Sequence, residues 1–143
     1  VTHDQAEATT LADKIGVLKE GHLVQIGTPE EIYENPNSIY VSQRLGSPKI
    51  NILPGTLLGM DDVPTCGIRP ENITIGNGNH SAKIISIENL GSETVVALNF
   101  KDQEILVSIQ GNYKSSINET INFDINNKKV LKFDQEGNRI YER

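Results

Sequence analysis

The chain has one cysteine, Cys66, one methionine and no tryptophan in 143 residues. A lone cysteine cannot form an intrachain disulfide, so a reducing compartment is expected, with Cys66 as a small buried hydrophobe. Aromatics make up 5% of the chain, too few for a base-stacking platform. The formal net charge of -6 and pI of about 5.0 argue against a nucleic-acid partner, which a basic surface would attract. No apolar run approaches the roughly 20 residues that a membrane-spanning helix needs. No Gly-Lys pair occurs anywhere, so there is no phosphate-cradling loop of the G-x-x-x-x-G-K-[ST] kind. No apolar strand ends in Asp-Glu to hold a magnesium ion.

What remains is an α+β pattern, mixed at first and then mainly β. Asp4 and Glu7 have the spacing of a capping box, and Ala8, Leu11, Ala12 and Ile15 recur at helical spacing. The run Ile15 to Leu18, a turn at Lys19-Glu20-Gly21, and His22 to Ile26 predict a hairpin. Thr28-Pro29-Glu30-Glu31 predicts a helix start, with Thr as cap and Pro at the first position, and Asn35-Pro36 ends that helix. Ser38 caps a second helix carrying Ile39, Val41 and Leu45, and Gly46 stops it. Residues 46–54, with Gly46-Ser47-Pro48 and Pro54-Gly55, read as a linker. Weak strand patterns follow at Ile50 to Leu53 and Gly55 to Leu58. Clearer ones span Thr65 to Arg69, Ala82 to Leu90, Glu93 to Phe100, Glu104 to Ile109, Ile121 to Ile125 and Val130 to Phe133. Short strands at this spacing predict a small barrel or sandwich over 55–143.

His3 is the candidate catalytic residue. A His just past a strand end can donate to a phosphate oxygen and position a water. Taken alone, such a His is more often structural. The string around it is specific: Val1-Thr2-His3-Asp4-Gln5-Ala6-Glu7-Ala8, then Leu11-Ala12-Asp13-Lys14-Ile15, Gly21 and Gln25-Ile26-Gly27-Thr28-Pro29. Glu31-Ile32-Tyr33, Asn35-Pro36 and Gly46-Ser47-Pro48 follow in order. This resembles the segment after the switch histidine of carbohydrate-type ABC importer ATPases, of the maltose and glycerol-3-phosphate kind. Gly67-Ile68-Arg69-Pro70-Glu71-Asn72-Ile73, Glu88-Asn89-Leu90-Gly91-Ser92-Glu93-Thr94 and Lys132-Phe133-Asp134 with Gly137 are similar to their C-terminal TOBE domain, an OB-like β fold.

The resemblance implies a division into 1–45, the end of an ATPase domain, the linker 46–54, and a TOBE domain at 55–143. It implies a parent that uses ATP and Mg and hydrolyses ATP for import of a sugar, polyol or glycerol-3-phosphate. His3 would meet the γ-phosphate there. The implied partners are a second copy of the subunit, membrane permease subunits and, in some members, a regulatory protein, all at the cytoplasmic face of a bacterial membrane. The P-loop and the Ser-Gly-Gly signature precede the switch His in that family, so this chain is expected to be a fragment that neither binds nor hydrolyses ATP alone. Between Pro54 and Gly67 the chain is shorter than the maltose-type domain, which removes strands on which a partner surface could be built.

Gly67, Arg69, Pro70 and Glu71 are the regulatory-domain motif. From chemistry alone, Pro70 stops the strand, and Glu71 caps it or forms a surface ion pair with Arg69 that is worth little. His22 and His80 read as solvated, and Asp61-Asp62 as a solvated turn, so no metal site is expected. The alternative function is a stand-alone OB-like module binding a small oxyanion or oligosaccharide. It requires a basic or polar pocket, and no Lys/Arg cluster stands out along the sequence.

Overall fold

A computed structural model describes residues 13–141. His3, the Asp4–Glu7 capping box and the helical face through Ala12 lie outside the described residues.

Strands β1 (Ile15–Lys19) and β2 (His22–Gly27) form an antiparallel hairpin. Glu20 and Gly21 both have positive φ, 50° and 81°, the geometry that matches a two-residue turn to the strand twist. Helix α1 (Pro29–Glu34) has the full capping box: Thr28 Oγ1 accepts from Glu31 N, and Glu31 reaches back to Thr28 N. Helix α2 (Ile39–Ser42) is capped by Ser38 and is a single turn, although Leu45 beyond it is still buried. Ile15, Val17, Ile32, Val41 and Leu45 make a small core for this first region.

The rest is an OB-like sandwich of two four-stranded antiparallel sheets. The first sheet has the order β10-β9-β4-β3, from Arg139–Ile140, Leu131–Phe133, Thr65–Ile68 and Asn51–Pro54. Asn51–Pro54 falls inside the stretch expected as linker. It is the outer strand, which is where Pro54, lacking an N–H, is tolerated. The second sheet has the order β7-β6-β5-β8, from Gln103–Gln110, Glu93–Phe100, Ile73–Asn89 and Thr120–Ile125. Leu53 and Ile68 of the first sheet meet Ile84, Val96, Leu98, Phe100, Ile105, Val107 and Phe123 of the second. Each such side chain contributes roughly 1.5–3 kcal/mol over exposure. Cys66 lies in this interior, fully buried, as a small hydrophobe.

One side chain ties the two sheet edges. The Asn51 amide donates to Leu106 O and accepts from Leu106 N, both at 2.8 Å. It occupies part of the open edge of β7 as a neighbouring strand would, which guards an exposed edge against unwanted pairing.

Three expectations are corrected. Gly55–Leu58 is a 3₁₀ turn, not a strand. Gly55 N bonds back to Pro64 O and Met60 N to Gly55 O, so the chain reverses there to enter β4. β5 begins at Ile73 rather than at Ala82 and runs through Gly76-Asn77-Gly78-Asn79. Ile75 and His80 both register on Phe123, and the four residues between them form a bulge in which Gly78 lies against the Phe123 backbone. His80 is consequently half-buried, not solvated. Its ring stacks 5.2 Å from Phe123 and meets Phe100 edge-on at 5.5 Å.

Candidate functional site

The motif Gly67-Ile68-Arg69-Pro70-Glu71 crosses the seam between the first region and the sandwich. Gly67 is dictated by packing, since a Cβ there would lie 2.9 Å from Ile50 Cδ1 and 3.0 Å from Phe133 Cε2. Ile68 enters the core. Arg69 is extended, as residues before proline prefer, and Pro70 opens a 3₁₀ turn, Pro70–Asn72. The strand stops here, and the Arg69 side chain turns from the sheet into the first region.

Arg69 is 3% exposed. Its Nη1 donates to Ser42 O and Leu45 O, both at 2.8 Å, and Nη2 donates to Tyr33 O at 3.0 Å. The guanidinium sits 4.0 Å above the Tyr33 ring. Ser42 and Leu45 lie at and just beyond the end of α2, where helix carbonyls lack partners within the helix. Nη1 satisfies both while Nη2 reaches Tyr33 O, a planar spread of donors that a Lys ammonium does not reproduce. Gly46 completes the fit: its φ is 102°, and a Cβ there would press 3.1 Å from Tyr33 Cε1.

Burial lowers the pKa of Arg69, and Tyr33, Glu71 and Glu34 oppose that shift. Tyr33 is raised, first by burial and then by its bond to Glu71, so the phenol stays protonated and donates to Glu71 Oε2. The expected surface pair between Arg69 and Glu71 is therefore corrected. Arg69 is buried on carbonyls, and Glu71 takes the Tyr33 hydroxyl.

Further contacts cross the same seam. Arg139 N bonds Asn37 O at 2.8 Å, Ile39 N bonds Gly137 O at 2.8 Å, and Arg139 Nη1 bonds Pro36 O at 3.2 Å. Lys129 pairs with Glu34 at 3.1 Å, both side chains about half exposed. Beside Arg69 these segments leave a cleft of about 380 Å³ walled by Tyr33, Glu34, Glu71, Asn72, Lys128 and Arg139 among others.

The motif residues Gly67, Arg69, Pro70 and Glu71 thus act at one place. His3, the catalytic candidate, lies outside the described residues. His22 is exposed on the hairpin, and Asp61 and Asp62 sit in an exposed turn. Among the described residues no group of three His, Cys, Asp or Glu could hold a metal ion. The carbonyl partners Ser42 and Leu45 and the packing role of Gly46 carry no local signal in the sequence, where a glycine after a capped helix marks only a stop.

The model of the TOBE domain matches residues 66–129. Over 99% of the chain, 34% of residues are identical to an sn-glycerol-3-phosphate import ATP-binding protein of Psychromonas ingrahamii. A protein of the same name in Rhizobium meliloti is 34% identical over 98% of the chain. A xylose/arabinose import ATP-binding protein of Haloferax volcanii is 36% identical over 71%. The chain covers 45% of the first of these, 46% of the second and 33% of the third, so it spans at most about half of each. The Psychromonas alignment runs to 169 positions against 143 residues here, so that relative carries residues with no counterpart in this chain. No helix among the described residues is long and apolar enough to cross a membrane.

Proposed function

We propose that this chain, a TOBE-domain relative of sugar and sn-glycerol-3-phosphate import ATP-binding proteins, is the C-terminal part of the ATP-hydrolysing subunit of such an importer. In this reading residues 1–45 end the ATPase domain, 46–54 connect, and 55–143 form the regulatory domain. The subunit works as a homodimer on permease subunits at the inner face of the membrane, and a regulatory protein is a further partner in some members of the family. His3 meets the γ-phosphate of ATP. The substrate class is a sugar, polyol or glycerol-3-phosphate.

The observation that supports this most is the Arg69 junction. A domain that reports on an ATPase must be coupled rigidly to it, and Arg69 holds Tyr33, Ser42 and Leu45 of the ATPase-side segment. Gly67, Arg69, Pro70 and Glu71 then form the coupling element of the regulatory domain.

The chain has no P-loop, and its described residues offer no carboxylate cluster for magnesium. They do not fit ATP and Mg. The test is an ATPase assay of the chain and of the longer protein that contains it. The chain alone should not exceed buffer. The longer protein should hydrolyse ATP, and His3→Ala should cut its rate on the order of 10²-fold or more. Hydrolysis by the 143-residue chain itself would contradict the proposal.

A further inference from the structure

We propose that the cleft beside Arg69 binds a phosphate dianion, either free or as the head of a small ester. The sequence offered no run of basic residues, but the fold gathers four cations from three segments. Arg69 comes from the end of β4, Lys128 and Lys129 from the 3₁₀ turn Asn127–Lys129, and Arg139 from β10. In a chain of net charge -6 this local excess runs against the field of the whole molecule.

The two acidic residues in the wall are already occupied. Glu34 pairs with Lys129, and Glu71 accepts the Tyr33 hydroxyl. One donor is left over. The Lys128 ammonium, on an exposed residue, has no hydrogen-bond or ion-pair partner among the described residues. An anion in the cleft would give it a charge-assisted partner. Phosphate suits this arrangement better than a carboxylate, because its oxygens can reach donors on different walls at once.

A cleft of about 380 Å³ falls within the range of small-molecule sites and leaves room beyond a phosphate. The side chains of Asn35 and Asn72 line that extra room and make no hydrogen bond among the described residues. Their amides can serve hydroxyl groups, so a hydroxylated phosphate ester should bind more tightly than inorganic phosphate. The proposal does not depend on the importer reading, because binding is measured on the chain alone.

The test is calorimetric titration of the full chain with inorganic phosphate, glycerol phosphate and glycerol. Saturable binding of either phosphate, weakened by added salt, and no binding of glycerol is the expected result. The ester binding more tightly would identify an organic phosphate as the ligand, and equal affinities would identify free phosphate. Lys128→Glu, at an exposed position that should not disturb folding, should weaken binding about tenfold or more. Lys83→Glu makes the same charge change outside the cleft and should leave binding within about twofold. Absence of saturable binding, or equal weakening by both variants, would overturn the site.

Discussion

The hairpin-and-helix region before Gly46 and the sandwich after it are stabilised in different ways. The sandwich has an extensive core that includes two phenylalanines, Phe100 and Phe123, meeting edge-on 5.2 Å apart. Among the described residues, the first region has five buried apolar side chains and two helices of six and four residues. Helices that short are marginal in water, and a core that small gives little stability alone. The first region therefore depends on polar contacts with the sandwich, chiefly those of Arg69, while the sandwich needs little in return. Burial of apolar surface sustains one region, and buried hydrogen bonding holds the other to it.

The largest effect should come from the sandwich core. Phe123→Ala should cost about 3–5 kcal/mol in urea unfolding, and it should lower the stability of both regions together. A loss confined to the sandwich would mean the first region folds independently. Arg69→Ala should cost about 3 kcal/mol, because the Tyr33, Ser42 and Leu45 carbonyls lose their buried donor. Arg69→Lys should recover less than half of that, since one ammonium cannot reproduce the fork. Thr28→Ala removes the capping box of α1 and should cost about 1 kcal/mol, seen as faster amide exchange in α1 alone. Lys129→Ala removes a half-exposed ion pair and should change stability by less than about 1 kcal/mol.

The elements legible in the sequence are those whose signals are local. The Glu20-Gly21 turn, the Thr28–Glu31 box and the Ser38 cap each depend on residues within four positions, and each lies where its pattern placed it. Strand β6 matches Glu93–Phe100 because its alternation faces a single core. The junction could not be read in this way. Arg69 bonds residues 24 to 36 positions earlier, and nothing near Arg-Pro-Glu marks a buried guanidinium. The familiar motif did locate the site, although the chemistry expected there was a surface ion pair. Likewise β10 is two residues long, too short to leave a pattern, yet its Arg139 and the nearby Gly137 bond the first region.

The most direct test of the junction is hydrogen exchange on the Arg69→Ala chain compared with the unaltered one. The account predicts that amides of β1, β2, α1 and α2 lose protection while those of β6 and β7 keep theirs. Equal loss in both regions, or none in the first, would contradict the claim that Arg69 holds the first region to the sandwich.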